Sequence, residues 1–85
     1  MRIDPKLAKT FNPKLARAYL KRGGARFKKG EHEKAIKDFT ESIRLDPKFE
    51  KAYNDRGVAW KTLGDLDKAD RDFAEANRLR RIRLR

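Results

Sequence analysis

Apolar side chains recur at helical spacing in two parts of the chain. One series follows the i, i+1, i+4, i+7, i+8 spacing of a single helix face. Its members are Ala35, Ile36, Phe39, Ser42 and Ile43. The stretch AYNDRGVAW, residues 52–60, places its apolar letters at helical spacing as well. These patterns predict an all-α chain.

Two of the predicted helices contain a glycine near the middle, Gly23 and Gly57. A glycine in a helix interior costs about 1 kcal/mol relative to alanine, so each position needs a reason. The two glycines lie 34 residues apart, and residues 16–49 share thirteen identities with residues 50–83. A period of this length indicates stacked repeats. The matched pairs include Tyr19/Tyr53, Arg22/Arg56, Gly23/Gly57, Gly30/Gly64, Ala35/Ala69, Phe39/Phe73 and Leu45/Leu79.

Each repeat is predicted to contain two helices joined by a short turn, KKGEH in the first and TLGDL in the second. Between the repeats, Asp46 is expected to cap the following helix, with Pro47 in its first turn. The packed face of the first helix is expected to comprise Ala18, Tyr19, Arg22, Gly23 and Ala25.

The repeated residues resemble the tetratricopeptide repeat. In the second unit the pattern is Tyr53-x2-Arg56-Gly57-x2-Trp60, followed by Ala69-x3-Phe73. The first unit matches it at Tyr19, Gly23, Ala35, Phe39 and Pro47, but it has Arg26 in the place of Trp60. The resemblance implies two stacked helix-turn-helix repeats, a fragment of an α-solenoid. It also implies that the two helices cross closely at small residues, Gly23 with Ala35 and Gly57 with Ala69.

The predicted organisation has four parts. They are an N-terminal basic segment at 1–14, repeat one at 15–49, repeat two at 50–79 and an Arg-rich helical extension at 80–85. Residues 4–11, DPKLAKTF, repeat a phrase found at 12–19 and 46–53 but do not fit the period, so a short helix and a tail both stay open.

The second repeat differs from the first where a following hairpin would pack. Asp70 and Asn77 replace Ile36 and Ile43, which favours a polar capping face at the end of the array, with sequence drift as the alternative. Two repeats also leave end faces through which copies of the chain are expected to associate.

Positive charge is concentrated at both ends of the chain, which carries a formal net charge of +11. Residues 1–29 contain ten Lys/Arg and one acid, whereas residues 30–77 are mildly acidic. The C-terminal end has five arginines and no acid. They are Arg78, Arg80, Arg81, Arg83 and Arg85. These clusters support one candidate function, the binding of a polyanion such as RNA, DNA or an acidic surface.

Residue types that carry catalysis or bind metal are scarce. The chain has no cysteine and one histidine, His32, so no Cys/His or Ser/His/Asp set can be assembled. GGARFKKG lacks the phosphate-loop pattern, and DLDKADRD lacks the spacing of a calcium loop. The sequence therefore predicts a non-enzymatic protein with no cofactor and no metal. It also predicts no signal peptide and no membrane span, and the absence of cysteine fits a cytoplasmic protein.

The resemblance implies a second candidate function, a protein–protein interaction module. In this family the first helices of successive hairpins line a concave face that holds a peptide or helix. Here the matching residues, called the groove below, are Arg17, Leu20, Lys21, Gly24, Phe27, Lys28, Lys51, Asn54, Asp55, Val58, Lys61 and Thr62. Ordinary solvated positions on a basic protein are the alternative interpretation of this set.

The basic groove is expected to take a protein or peptide, including an acidic one. One subtype is not expected, the clamp that grips the C-terminal carboxylates of heat-shock chaperones. The clamp positions are occupied by Leu20, Gly24 and Asp55, and Asp55 would repel a carboxylate.

Overall fold

The computed structural model describes residues 11–84, and these residues form four α-helices with no strand among them. The helices are α1 (Pro13–Lys28), α2 (His32–Leu45), α3 (Glu50–Thr62) and α4 (Leu66–Arg83). The all-α prediction is confirmed. Residues 1–10, for which a short helix or a tail was considered, and Arg85 of the tail lie outside the described residues.

Short local signals set where the helices begin and turn. The Asn12 side chain accepts a hydrogen bond from the Leu15 N–H (3.0 Å), and Pro13 occupies the first turn of α1. The helix therefore includes two residues of the predicted segment 1–14. Gly30 and Gly64 close the two hairpin turns at φ +83° and +87°, a left-handed conformation that glycine adopts without steric cost.

The expected cap of α3 by Asp46 is wrong. Asp46 ends α2 instead, because its N–H bonds to the Ser42 carbonyl (3.0 Å), and its carboxylate accepts the Lys48 N–H (3.2 Å). Pro47 lies in this turn, and α3 begins three residues later at Glu50 with no capping side chain.

The helices pack as two hairpins, α1 with α2 and α3 with α4, and α2 joins them by packing on α3. The core at this junction is a buried cluster with partly buried side chains around it. Its members are Ala35, Ile36, Phe39 and Ala59, with Leu20, Phe27 and Trp60 packed against them. The prediction that Ile36 packs toward the second hairpin agrees with this cluster.

The glycines lie where two helices approach closely. A Cβ atom built on Gly23 would be 2.6 Å from Cε1 of Phe39, and one built on Gly57 would be 2.7 Å from Cε1 of Phe73. Such contacts are shorter than packed atoms adopt, so any larger residue at either position would force the facing ring to move. The glycines therefore make room for a phenylalanine ring of the neighbouring helix, and the expected partners Ala35 and Ala69 are not among the nearest contacts.

Three residues expected in the packed face of α1, Ala18, Arg22 and Ala25, are exposed. Gly23 is buried as expected, and Ala16, which was not in the predicted set, is buried with it. The equivalents of Ala18 and Ala25 in the second repeat are Ala52 and Ala59, and both are fully buried. The difference arises because α2 covers this side of α3, whereas no described element covers this side of α1.

Helix α4 carries the residues predicted to form a polar capping face, and that role stays a prediction. Asp70 and Asn77 are exposed on α4, where a polar capping face was expected. The helix also continues without interruption to Arg83, because no proline stops it.

Candidate functional site

The groove residues lie on α1 and α3, at spacings that place them on one face of each helix. This face is strongly cationic, because its five lysine and arginine side chains are all exposed. They are Arg17, Lys21, Lys28, Lys51 and Lys61. Asn54 is exposed among them, so the face offers charge and amide groups to a partner.

The three apolar groove residues differ in what they contact. Leu20 and Phe27 pack in part against the core cluster, and the Phe27 ring also lies 4.7 Å from the His32 ring, centroid to centroid. Val58 is 38% exposed. Val58 is therefore the apolar groove residue most available to a partner.

Asp55 is the acid of the groove, and it is half-buried. Burial raises the pKa of its carboxyl above the ordinary value, and Lys51, whose Nζ lies 3.7 Å from the carboxylate, opposes the shift. The pair reduces the positive charge at the middle of the groove.

In each hairpin an arginine–aspartate pair joins the two helices, and sequence reasoning missed both pairs. Arg22 forms two hydrogen bonds with Asp38 (2.9 and 2.8 Å), and Arg56 forms two with Asp72 (2.8 and 2.7 Å). Both aspartates are buried. They lie 34 residues apart, as do the arginines, so the repeat itself carried the signal. Bidentate pairs of this kind fix the orientation of the two side chains.

The substitution of Arg26 for the second repeat's Trp60 has a structural consequence. Arg26 reaches Asp38 (3.2 Å) and adds a second arginine to the first ion pair. Trp60 packs against the core instead, and Nζ of Lys68 lies 4.4 Å from its ring centroid, over the ring.

Three arginine side chains of the C-terminal end form ion pairs with glutamates of α3 and α4. Arg78 is held by Glu75 on the same helix, with Nε 3.1 Å from the carboxylate. Arg80 and Arg83 both approach Glu50 at the start of α3, at 3.9 and 3.0 Å. Of the described arginines in this end, Arg81 alone is exposed without an ion pair.

One cleft of about 750 Å³ joins the two sets of predicted site residues. It lies between the starts of α1 and α3 and the last turns of α4. Groove residues Arg17, Lys51 and Asn54 line one side, and Arg80 and Arg83 line the other. The remaining groove residues lie outside the cleft.

Comparison with known proteins agrees with the fold of helical hairpins. Residues 16–49 match the family model of the tetratricopeptide repeat. Residues 16–49 are a tetratricopeptide repeat. The fold is similar to a crystal structure of MamA, a protein that contains this repeat, with 33% sequence identity and a TM-score of 0.79. The match covers 81% of this chain and 40% of MamA, so the chain spans less than half of that protein. A search of curated proteins gives no match.

Tetratricopeptide repeats generally mediate protein–protein interaction, and the proteins that contain them are typically scaffolds without catalytic activity. None of its described helices is long and apolar enough to cross a membrane. Within residues 11–84 no group of three or more histidine and acidic side chains is arranged to hold a metal ion.

Proposed function

We propose that this tetratricopeptide repeat chain is a non-enzymatic interaction module that holds a peptide or helix of another protein in the groove. The observation that carries the proposal is the exposed Val58 in the middle of the cationic face of α1 and α3. A few apolar anchors supply most of the affinity in such contacts, and surrounding charges steer the partner during approach. The chemistry of the groove favours a partner with apolar and acidic side chains.

Polyanion binding through the basic ends has less support. A phosphate-binding tail needs free cationic side chains, yet Arg78, Arg80 and Arg83 face carboxylates of the chain itself. Trp60, the largest aromatic side chain, is partly covered by Lys68 and does not offer an open stacking surface. We expect the protein to act in the cytoplasm, as its lack of cysteine suggests.

The groove is tested by a charge placed on its apolar anchor. Peptides selected from a random display library against the wild-type protein serve as probes, and anisotropy gives their affinities. Val58→Glu should lower the affinity for these peptides by about tenfold or more, because a carboxylate replaces an apolar contact and repels acidic probes. Leu63→Glu is the matched control, since Leu63 is 44% exposed at the end of α3 and outside the groove.

Equal losses of peptide affinity in Val58→Glu and Leu63→Glu would contradict the groove proposal, because the two variants differ only in where the charge is placed. Oligouridylate is the comparison ligand for polyanion binding. RNA affinity that exceeds peptide affinity, survives Val58→Glu and falls linearly in log salt would replace the groove proposal with the polyanion one.

A further inference from the structure

The cleft carries more positive charge than its own carboxylates neutralise. Five cationic side chains line it, and the acids among its lining residues are Asp46 and Glu50. The cations are Arg17, Lys48, Lys51, Arg80 and Arg83. Arg17 and Lys48 have no carboxylate partner within residues 11–84. A ligand that brings further carboxylates would therefore meet a surplus of positive charge.

The contact between Glu50 and the arginines is loose. Oε1 of Glu50 lies 3.0 Å from Nη1 of Arg83, but it has no hydrogen bond of ordinary geometry, and the Arg80 contact is longer, at 3.9 Å. The side chains of both arginines are more than half exposed. Ion pairs to solvent-exposed arginines contribute little stability, so a ligand carboxylate can reach Arg80 and Arg83 without breaking a strong bond to Glu50.

Two further features suit an anion with apolar neighbours. The α3 helix begins at the cleft without a capping side chain, so its first backbone N–H groups present the positive end of the helix dipole. Phe49, Leu79 and Ile82 contribute apolar lining between the charges, and Ile82 is 49% exposed.

We propose that the cleft binds an acidic peptide segment, with its carboxylates on Arg80 and Arg83 and an apolar side chain against Leu79 and Ile82. The proposal deepens the groove proposal and rests on it, because Arg17, Lys51 and Asn54 belong to both surfaces. A peptide in the groove would thus continue into the cleft with an acidic stretch. The C-terminal arginines act as part of the recognition surface.

An acidic peptide fits this cleft better than a nucleic acid strand. The carboxylates of Asp46 and Glu50 lie among the cations and would repel a continuous row of phosphates. Peptide carboxylates are separated by apolar side chains, which the lining between the charges accommodates. Guanidinium groups also match the planar, two-oxygen geometry of a carboxylate.

The test uses a fluorescein-labelled peptide that alternates leucine with pairs of glutamate, and a second peptide with glutamine in place of glutamate. The double variant Arg80→Ala/Arg83→Ala should lower the affinity for the glutamate peptide by about tenfold or more. The matched control is Arg71→Ala/Arg81→Ala, which removes the same charge from exposed positions of α4 outside the cleft. The control should change affinity by less than about twofold.

A third variant is expected to raise the affinity for the glutamate peptide instead of lowering it. Glu50→Gln frees the two arginines from their internal carboxylate and should tighten the glutamate peptide by about threefold or more. A purely structural role for Glu50 would not raise affinity. Thermal melting of each variant shows whether the fold is retained.

Equal losses in the two double variants would overturn the proposal, because summed charge and not the cleft would then govern binding. Equal binding of the glutamine peptide, or displacement of the glutamate peptide by a lower concentration of oligouridylate, would also overturn it. Val58→Glu separates the two proposals. A glutamate peptide that loses affinity in Arg80→Ala/Arg83→Ala but not in Val58→Glu supports the cleft while contradicting the groove.

Discussion

Gly23→Ala is expected to destabilise the protein, and Gly24→Ala, one residue further along the same helix, is expected to stabilise it. Both changes improve helix propensity by about 1 kcal/mol. At Gly24 a Cβ atom meets nothing within 4 Å, so the gain is retained. At Gly23 the Cβ atom would stand 2.6 Å from the ring of Phe39, which is 1% exposed and has no room to move.

Overpacking of this kind costs about 1–3 kcal/mol, which outweighs the propensity gain. Gly57→Ala should cost less than Gly23→Ala, because the ring that it meets, Phe73, is only half-buried and can shift toward solvent. Gly57→Leu should abolish the packing at that crossing. Urea unfolding followed by far-UV circular dichroism measures all four changes. A free energy of unfolding that rises equally in Gly23→Ala and Gly24→Ala would mean that the helices do not cross closely at Gly23.

Arg56→Ala is expected to destabilise the protein far more than Arg22→Ala, although the two arginines are equivalent in the repeat. Removing Arg56 leaves the carboxylate of Asp72, 7% exposed, without its ion-pair partner. Breaking a buried pair in this way costs about 3–5 kcal/mol, and the 20% exposure of the Arg56 side chain favours the lower end. Removing Arg22 leaves Asp38 paired with Arg26.

The two variants are compared by thermal melting at neutral pH. Arg22 is the matched control, because its side chain is 56% exposed and its loss is compensated by Arg26. Removing Arg26 as well, in Arg22→Ala/Arg26→Ala, should bring the first repeat to a loss comparable with that of Arg56→Ala. Equal melting temperatures for Arg22→Ala and Arg56→Ala would show that the arginine–aspartate pair does not hold the second hairpin together.

The sequence predicted most of the fold because the same pattern of residues occurs in both repeats, so each repeat shows where the helices of the other begin and end. The helices, the glycine at each crossing and the continuation of α4 past the last repeat followed from the period and from local helix signals. Ala18 and Ala25 show that the repeat pattern does not predict burial. Their local sequence matches that of Ala52 and Ala59, yet their burial differs, because burial depends on whether another helix covers the face.

The candidate site was predictable in part. The helical spacing placed the groove residues on α1 and α3, but it did not separate Val58, which is exposed, from Phe27, which packs against the core. Asp38 and Asp72 were missed because a charged residue in an amphipathic helix usually faces solvent. The cleft was not predictable, since its walls come from the start of α1 and the end of α4, and only the stacking of the hairpins brings these together.

A chemical-shift map of the bound protein tests whether the groove of α1 and α3 receives a peptide. Titration of the nitrogen-15-labelled protein with the tightest library-selected peptide should shift the amides of Asn54, Val58 and Lys61 most strongly. Resonances on the outer face of α4, around Asp70 and Ala74, should stay in place. Shifts confined to that outer face, with the α3 amides unchanged, would show that the peptide does not bind in the groove.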